Sequence, residues 1–455
     1  MNNKNTILIV TIYAFLLTGC GGGGGSSDST ASLVNLQAGS CTAETQKTWV
    51  RAHLNDVYLW YGSIVEVDPN LYSSASDYFY ALLVRSQDRF SYEMSQTTAD
   101  NYYQAGQEVG FGVRWGFDSN SRLLAFYVAP NSPAAGIVAR GTQVISVNGT
   151  PAAQVSDTAL NEALLPSQTG VATQLTIKKT PSSLNQNITL ISNIYTSTPV
   201  SQPLTFSRPS GKKIGYLLFN SHISTAEQQL ISAMQGFKQQ GVTEVILDMR
   251  YNGGGYTYIA EEIASMIGGA AVQGKVFMKL LFNDKHPELT NDPQYTLRFV
   301  NGDTNSALLP QLGLQRLLVI TGSSTCSASE AIINSLTPFI PVVRIGNTTC
   351  GKPYGMRQTN NCQQAYFAIQ FEGVNNLGQD NYQSGFSPTC MVADDLGHAL
   401  GDFAESRLNA AIYYIDNNIC PVGTGKTIAK SLLLPDLDNE DIKFISTLPA
   451  ANIVQ

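Results

Sequence analysis

A serine and a lysine near two neighbouring strand ends are the side chains of this sequence best suited to covalent chemistry. Ser327 follows the apolar run 317–321, and Lys352 follows the apolar run 342–345. A serine hydroxyl is a weak nucleophile until a neighbouring base takes its proton, and a lysine amine can be that base when burial lowers its pKa. The Ser-Lys arrangement is a variant of the triad that hydrolyses bonds through an acyl intermediate.

The elements around Ser327 predict that it lies where a strand turns into a helix. Residues 322–324 break the preceding strand, and the helical pattern after Ser327 ends at Pro338. The free N–H groups and the dipole of a helix N-terminus favour negative charge there. The same residues fit a second interpretation, because a serine followed three positions later by Glu330 is also a capping box with a purely structural role.

A glycine run, Gly253-Gly254-Gly255, follows another buried strand. From about residue 213 the pattern alternates between a strand (214–218), a helix (226–240) and a strand (245–250). This alternation predicts an α/β domain whose functional site lies at strand ends. Three glycines by themselves are typical of a turn.

Three motifs stand in an order that resembles the C-terminal processing (tail-specific) serine proteases. They are Asp-Met-Arg-Tyr-Asn-Gly-Gly-Gly at 248–255, Ser-Ala-Ser-Glu at 327–330 with Gly-Lys at 351–352, and Gly-Phe-Ser-Pro at 385–388. An aromatic N-terminal pattern that ends in Asp-Arg-Phe-Ser-Tyr adds to the resemblance, which covers roughly residues 45–415. The resemblance implies an α/β protease core of the ClpP/crotonase-like type.

The resemblance also implies roles for individual residues. Ser327 would be the nucleophile and Lys352 its base, while the amides of Ala328 and of Gly254 or Gly255 would stabilise the oxyanion. Glycine suits that task because its backbone can approach a substrate closely and adopt unusual dihedral angles. Asp248 and Arg250 of the same motif are expected to be structural or orienting residues.

One position departs from the family pattern. Many members carry a glutamine four residues after the lysine, where it orients the amine, and this chain has Met356 there. Gln358 would share one face of a strand with Met356, so it is a possible orienting residue. The alternative is that the Ser-Lys pair suffices.

Residues 108–179 have the short strands of a different domain. Gly110-Phe111-Gly112-Val113 and the segment 140–149 resemble a PDZ domain, although Thr142 stands where that fold usually has aspartate. The resemblance implies that the backbone N–H groups of Gly110, Phe111, Gly112 and Val113 hold the C-terminus of a peptide that adds as a strand. The alternative is a small β-domain that binds no peptide.

The N-terminus predicts export and a lipid anchor. A short apolar region, 6–17, leads into Leu-Thr-Gly-Cys at 17–20, which resembles the bacterial lipobox. The resemblance implies cleavage before Cys20 and acylation of its thiol. Gly21 follows Cys20, as in lipoproteins of the outer membrane, so the protein is expected at that membrane, facing the periplasm or the cell exterior. The Gly/Ser-rich stretch 21–29 reads as a tether.

The cysteine pattern and the net charge limit the metals and macromolecules that the protein is expected to bind. Export permits disulfides among the six remaining cysteines, and the sequence does not choose among their 15 pairings. A Cys326–Cys350 bridge could brace the site, and Cys350–Cys362 is an equally good guess. The six are Cys41, Cys326, Cys350, Cys362, Cys390 and Cys420. Because none has metal-ligand spacing, we predict no metal and no cofactor. The net charge of −7 argues against nucleic acid as a partner.

The predicted organisation is a multidomain α+β protein. A signal peptide (1–19) and a lipid anchor with its linker (20–40) precede the folded part. An N-terminal helical domain (41–107), an inserted PDZ-like β-rich domain (108–179) and a Ser-Lys protease core (180–420) follow, and residues 421–455 form a tail that the sequence does not place.

The predicted function is that of a serine endopeptidase that cleaves exported proteins, recognising them through their C-termini. A rival from another class is a lipid-anchored scaffold that binds peptide C-termini without cleaving them. Two other nucleophile schemes are disfavoured. None of the four histidines stands beside a recognisable Asp/Ser motif, and export would tend to oxidise a cysteine nucleophile.

Overall fold

A computed structural model describes residues 40–422, 443–445 and 452–454. The predicted signal peptide and the lipobox with Cys20 lie outside the described residues, so export and lipid anchoring stay predictions. Among the helices of the described ranges, none combines the length and the apolar character that crossing a membrane requires.

The N-terminal region is mainly helical and packs an aromatic core. Its elements are α1 (Ala43–Val57), α2 (Ala75–Leu82), β1 (Tyr92–Ser95) and α3 (Gln96–Ala105). The helices begin at side-chain caps, for example at Thr42, whose hydroxyl accepts a hydrogen bond from the Thr45 amide. Tyr58, Phe79 and other buried aromatic residues of this region share one core with residues 365–369 of the protease part.

The strand-rich part that follows, residues 107–196, is called the PDZ-like block below. Its elements are β2 (Gln107–Gly110), β3 (Val113–Phe117), β4 (Leu123–Val128), β5 (Gln143–Val147), β6 (Thr150–Pro151), α4 (Asp157–Leu164), β7 (Ala172–Lys178), β8 (Gln186–Ile191) and β9 (Asn193–Thr196). The antiparallel order β3-β4-β5-β7-β8 is consistent with the PDZ-like prediction. The sheet continues past the predicted boundary at 179, because β8 pairs with β7.

The remaining elements build the α/β core and a second sheet, except that β19 and β20 pair with β1 and that β23 joins the PDZ-like sheet. They are β10 (Val200–Ser207), β11 (Lys213–Phe219), α5 (Ala226–Gln239), β12 (Glu244–Asp248), β13 (Gly254–Tyr256), α6 (Thr257–Gly268), β14 (Val276–Phe282), α7 (Pro287–Asn291), β15 (Thr296–Arg298), β16 (Leu317–Thr321), α8 (Ala328–Leu336), β17 (Val342–Gly346), β18 (Tyr354–Met356), β19 (Thr359–Asn361), β20 (Gln364–Phe367), β21 (Ile369–Val374), β22 (Cys390–Met391), α9 (Ser406–Asn417), β23 (Lys443–Ile445) and β24 (Asn452–Val454).

The core sheet has the order β10-β11-β12-β16-β17-β22, and all its pairs except β10–β11 are parallel. The strands β12 and β16 are buried along their whole length, as expected for parallel strands covered on both faces. Because parallel strands end at one edge, the turn after β12, the turn after β16 and the loop after β17 come together. This confirms the predicted α/β core and places the segments 248–255, 327–330 and 351–352 near one another.

A second sheet lies beside these strand ends, with the order β13-β24-β18-β21-β14-β15. Its strand β13 contains the last two glycines of the predicted oxyanion motif, and β18 follows Lys352. The tail strand β24 lies between β13 and β18 and is parallel to both. The short sheet β1-β20-β19 joins the N-terminal region to the core.

Candidate active site

Ser327 lies at the sharp turn between β16 and α8, as the sequence predicts. Its backbone has φ 61° and ψ −117°, a conformation that non-glycine residues rarely adopt and that costs on the order of 1–3 kcal/mol. Neighbouring bonds hold this geometry: the Cys326 amide donates to the Asn252 carbonyl at 3.1 Å, and the Ala331 amide donates to the Ser327 carbonyl at 2.8 Å. The Ser327 side chain is completely buried, and its Oγ has no hydrogen-bond partner within the part of the chain that the structure describes.

Glu330 ties the serine segment to the lysine segment. Its carboxylate accepts hydrogen bonds from the backbone amides of Ser327 (3.0 Å), Gly351 (2.8 Å) and Lys352 (2.8 Å), and from the hydroxyl of Thr349 (2.5 Å). Burial raises the pKa of Glu330, and these donors oppose that rise by favouring the ionised form. One buried carboxylate therefore fixes the backbones that carry both predicted catalytic residues.

The capping box that the sequence allows is present. The Glu330 carboxylate accepts from the Ser327 amide at 3.0 Å, and the Ser327 side chain lies towards the backbone of the third helical residue. That second contact is weak, because the Ser327 Oγ makes no hydrogen bond of good geometry within the described residues. The capping role and a catalytic role of Ser327 are therefore compatible.

A disulfide joins the same two segments covalently. Cys326, directly before Ser327, is bonded to Cys350, two residues before Lys352, with their Cα atoms 5.1 Å apart. The equally good guess Cys350–Cys362 is not formed, because Cys362 is bonded to Cys41. The third bridge is Cys390–Cys420.

The disulfide also decides what this cluster can bind. The sulfurs of Cys326 and Cys350 and the carboxylate of Glu330 are close enough to be considered as metal ligands. A cysteine binds metal as its thiolate, and both sulfurs are already used in the bridge. The oxidised pair likewise offers no cysteine nucleophile.

Lys352 is completely buried next to this cluster. Burial lowers the pKa of its amine to about 7, although the negative charges of Asp88 and Glu330 act in the opposite direction. The Nζ atom lies 5.3 Å from the centre of the Phe90 ring and 4.0 Å from the Sδ atom of Met356. A lysine with such a pKa is partly neutral near pH 7, and only the neutral amine can accept a proton.

Gln358, the possible orienting residue for Lys352, has its side-chain amide bonded elsewhere in this structure. The strand β18 ends at Met356, so residue 358 does not continue its alternation of faces. The Gln358 amide instead donates to Asp100 at 3.2 Å and to Asn360 at 2.9 Å. The side chain beside the lysine amine is the thioether of Met356, which is a weak acceptor.

The glycine motif lies against the serine. A Cβ atom placed on Gly254, whose φ is 99°, would lie 2.9 Å from the Cβ of Ser327 and 3.0 Å from the amide nitrogen of Ala328. A Cβ on Gly255 would instead lie 2.3 Å from the His222 carbonyl oxygen. Gly254 is thus the glycine whose backbone is closest to the nucleophile and to the Ala328 amide. Its own amide, however, donates to the Asn252 side-chain oxygen at 2.9 Å in this conformation.

Asn252 and His222 form a buried brace that sequence reasoning missed. The Asn252 side-chain oxygen also lies 3.0 Å from His222 Nδ1, and its amide group donates to the Phe219 carbonyl at 2.9 Å. Burial lowers the pKa of His222 to about 3, so its ring is neutral at neutral pH. The backbone of His222 donates to the Gly254 carbonyl at 3.0 Å and accepts from the Tyr256 amide at 2.7 Å. The only hint in the sequence was a histidine just after β11.

Asp248 and Arg250 belong to a buried ion-pair network behind the glycine motif. Arg250 contacts Asp248 at 2.9 Å, Glu405 at 2.7 Å and Asp394 at 3.0 Å. Burial alone would raise the pKa of Asp394, but its arginine neighbours hold it well below the usual range. Arg140 of the PDZ-like block reaches the same Asp394 at 2.7 Å. The predicted structural role of this pair therefore extends to docking of the PDZ-like block.

The predicted peptide-binding loop lies at the start of an edge of the PDZ-like sheet. Gly110 and Gly112 have φ values of 149° and 73°, and Phe111 is buried. A Cβ on Gly112 would clash with Ser132 at 2.1 Å, so only glycine fits there. Val113 begins β3, whose outer edge pairs with the tail strand β23.

Comparison of the sequence with protein families gives two matches. Residues 45–92 match the Peptidase S41 N-terminal domain, and residues 213–390 match Peptidase family S41. The chain therefore carries a peptidase family S41 domain at residues 213–390. Ser327, Lys352, Gly254 and Gly255 all lie within the S41 match, and peptidases of this family are serine-type hydrolases.

Relatives of the S41 chain carry the name that the motifs predicted. A carboxyl-terminal-processing protease from Synechocystis sp. is 25% identical over 211 residues, which are 46% of this chain and 44% of the relative. The chloroplastic carboxyl-terminal-processing peptidase 1 of Arabidopsis thaliana is 24% identical over 295 residues, 63% of this chain and 54% of the relative. The chain thus spans about half the length of the curated relatives it matches.

The fold of the S41 chain is also found in a solved structure. A crystal structure from Bacteroides fragilis, assigned to the S41 proteases, has a TM-score of 0.63 and 24% sequence identity, and the match covers 81% of this chain and 97% of that one. This likeness supports the fold, while the roles of Ser327 and Lys352 depend on the geometry above.

Proposed function

We propose that this protein is a serine endopeptidase of the C-terminal processing type in which Ser327 is the nucleophile and Lys352 the general base. The observation that carries the proposal is the buried Lys352 amine with its pKa lowered to about 7, on a backbone held by the same Glu330 carboxylate as Ser327. The family S41 domain supports the class of reaction.

The proposed reaction begins with the neutral Lys352 amine. It takes the proton of the Ser327 hydroxyl as Oγ bonds to the carbonyl carbon of the scissile peptide. The oxyanion that forms needs donors, and the Ala328 amide in the first turn of α8 is the first donor in this proposal. The lysine ammonium then gives its proton to the leaving amine, the C–N bond breaks, and an acyl-serine remains. Water, deprotonated by the same amine, hydrolyses the ester and restores the hydroxyl.

The Gly254 amide would be the second oxyanion donor. It lies beside Ser327 but is bonded to the Asn252 side chain in the present conformation. In this proposal the Gly254 amide leaves the Asn252 side chain when a peptide enters, and it then donates to the oxyanion of the substrate. The oxyanion hole is then completed by substrate rather than fully formed beforehand.

Substrate choice is the part of the proposal that rests on the PDZ-like block. A free C-terminus would dock at Gly110 to Val113 and the peptide would add to the edge of the sheet. Substrates are then exported proteins that reach an enzyme held at the bacterial outer membrane by lipid on Cys20. A Cys20→Ser variant tests the anchor, because it should yield soluble, unacylated or uncleaved protein. Wild-type protein found free and without lipid would contradict this location.

The direct test of the mechanism is a matched set of substitutions. Ser327→Ala and Lys352→Met should each abolish hydrolysis of an unfolded protein while the circular dichroism spectrum stays that of the wild type, and the double variant should lose no more than either single one. Ser323→Ala and Lys275→Met serve as controls, since Ser323 is on the same turn and Lys275 is an exposed lysine. Wild-type turnover by Ser327→Ala would overturn the assignment.

The rival function is a scaffold that binds peptide C-termini without cleaving them. It shares the PDZ-like block and the anchor, and differs only at the Ser-Lys site. An active-site serine probe decides between the two, because it should label wild type and not Ser327→Ala. A protein that binds C-terminal peptides but reacts with no such probe would be the scaffold.

A further inference from the structure

The C-terminal tail of this chain lies in two places where a peptide substrate would be expected. Its strand β24 runs parallel to β13, with Asn452 opposite Gly254 and Val454 opposite Tyr256. On its other side Val454 pairs with Met356 of β18. The tail strand therefore fills the slot between the strand of the oxyanion glycines and the strand that follows the lysine.

This slot borders the Ser-Lys site directly. The residue opposite Asn452 is Gly254, the glycine whose Cβ position is 2.9 Å from Ser327. The residue paired with Val454 is Met356, whose sulfur is 4.0 Å from the Lys352 amine. Residues 452–454 thus run past the nucleophile on one side and the base on the other.

A second stretch of the tail lies on the PDZ-like block. The strand β23 adds antiparallel to the edge strand β3, with Lys443 opposite Phe117 and Ile445 opposite Trp115. The tail consequently runs along β3 towards the loop at Gly112. Addition of a strand to a sheet edge is the way in which such domains bind peptides.

The nucleophile and the oxyanion side are closed in the same conformation. The Ser327 side chain has no exposed surface. In addition, the Gly254 amide is bonded to Asn252 instead of being ready for an oxyanion. A nucleophile that substrate cannot reach describes a resting enzyme, whereas the burial of Lys352 is what lowers its pKa.

We propose that residues 443–445 and 452–454 are a built-in ligand that occupies both peptide grooves and holds the protein in an inhibited state. This rests on the proposed peptidase function, since it concerns regulation of the same site. A tethered strand competes at an effective concentration on the order of millimolar, so a substrate must bind in both grooves or bind tightly to displace it. Short peptides are then cleaved slowly, and protein substrates that engage both grooves are cleaved faster.

Proline substitutions in the full chain test this without shortening it. Proline lacks the N–H that strand pairing needs, so Ile453→Pro should release β24 and Phe444→Pro should release β23. Each is compared with a control that keeps the amide, Ile453→Val or Phe444→Tyr. We expect kcat/KM for a short peptide to rise at least fivefold in Ile453→Pro and to stay within twofold of wild type in Ile453→Val.

Amide hydrogen exchange gives a readout that does not depend on activity. In the inactive Ser327→Ala background, Ile453→Pro should speed exchange at residues 254–256 and 354–356, and Phe444→Pro should do so at 113–117. Faster exchange without any hydrolysis by wild type would leave the tail docking intact and refute the peptidase function. Unchanged exchange in both proline variants would overturn the docking itself, whatever the activity.

A synthetic peptide of residues 443–455 provides the reciprocal measurement. Added to the active Ile453→Pro variant, it should inhibit hydrolysis competitively, while a peptide of the same composition in scrambled order should not. Intact-mass measurement then shows whether the enzyme cleaves its own tail. If wild type loses these residues during storage and Ser327→Ala retains them, the segment is a substrate and not a resident ligand, and the proposal fails.

Discussion

The two sides of the candidate site are held by different kinds of bond. On the dyad side, Ser327 and Lys352 are joined by the Cys326–Cys350 disulfide and by the carboxylate of Glu330, which accepts from both backbones. On the oxyanion side, Gly254 is held by hydrogen bonds to the neutral side chain of Asn252 and to the backbone of His222. Neutral hydrogen bonds are weaker than those to a charged acceptor and far easier to exchange than a covalent bridge.

This difference suggests a division of labour. Proton transfer between a hydroxyl and an amine depends on fixed geometry, and the rigid side supplies it. An oxyanion hole that forms only with substrate gives the enzyme a point of control, and the exchangeable side supplies that. The tail strand β24 pairs with β13, on the exchangeable side.

The largest expected effect comes from breaking the rigid side at Glu330. Glu330→Ala would leave three buried amides and the Thr349 hydroxyl without their acceptor, and an unsatisfied buried donor costs about 1–3 kcal/mol. We expect kcat/KM to fall by roughly 100-fold or more and the melting temperature to drop. Steady-state kinetics and thermal unfolding measure the two changes.

Glu330→Gln is the matched control for this prediction. Its side chain keeps one oxygen acceptor but turns an NH2 group towards donors, so it should fall between wild type and Glu330→Ala in both measurements. Wild-type kcat/KM in Glu330→Ala would show that the shared carboxylate does not position the dyad, and the comparison between the two sides would lose its basis.

Removing individual disulfides should separate catalysis from stability. The paired change Cys326→Ala with Cys350→Ala should lower kcat by about tenfold, because the bridge aligns Ser327 with Lys352. The paired change Cys41→Ala with Cys362→Ala should leave kcat nearly unchanged but lower stability more. That bridge closes 321 residues rather than 24, and in the chain-entropy model a longer loop gains more from its cross-link.

The informative result is which disulfide pair lowers kcat more and which lowers stability more. Kinetics and urea unfolding on both pairs measure it directly. If the Cys41–Cys362 pair lowered kcat as strongly as the Cys326–Cys350 pair, the bridge at the site would have only a structural role.

On the exchangeable side, Asn252→Ala should have a smaller effect. The change removes the acceptor of the Gly254 amide and the partner of His222. We expect kcat to fall by roughly five- to tenfold through a less ordered oxyanion loop, with KM nearly unchanged, since one oxyanion donor of two is affected. Labelling of Ser327 by a small serine probe should persist.

Asn252→Asp tests the same bond with its acceptor oxygen retained. It should keep more kcat than Asn252→Ala while losing the bond to the Phe219 carbonyl. A drop in melting temperature for Asn252→Ala as large as that for Glu330→Ala would mean that both sides are equally rigid.

Local patterns in the sequence predicted the dyad side well in outline. Ser327 and Lys352 follow the apolar strands β16 and β17, and parallel strands bring their ends to one edge whatever the details of the helices between them. The same reasoning predicted the glycine motif after β12. These predictions used only strand order and the family motif.

The connections between these segments depend on three-dimensional contacts that no local pattern encodes. The sequence left all 15 pairings of the six cysteines open, Cys326–Cys350 among them. Glu330 was interpreted only as part of a capping box, because its amide partners at 351 and 352 belong to a distant segment. Gln358 was predicted from the alternation of a strand that in fact ends at Met356.

The tail is the clearest limit of sequence reasoning. Residues 443–445 and 452–454 are strands only through pairing with β3, β13 and β18, which are far away in sequence. Neither stretch has length or alternation enough to predict a strand by itself. The same limit applied to β8, which extends the PDZ-like sheet past the predicted boundary.

The smallest expected effect concerns the pH dependence of activity and the charge of Asp88 near the Lys352 amine. Activity should rise through about pH 7, because the pKa of Lys352 is lowered to about 7 and only the neutral amine accepts the serine proton. Below that pH, kcat/KM should fall about tenfold per pH unit. Asp88, which is buried, raises the pKa of the amine by its charge.

Neutralising Asp88 should therefore shift the acid limb of the pH profile. Asp88→Asn keeps an oxygen to accept the amides of Phe90 and Ser91, as Asp88 does at 2.9 Å, but removes the negative charge. Without that charge the ammonium form is less favoured, the pKa of Lys352 falls further, and the limb moves to lower pH. Asp77→Asn, at an exposed position of α2, should leave it in place. A shift to higher pH in Asp88→Asn, or none at all, would show that the charge of this carboxylate does not raise the pKa of the base.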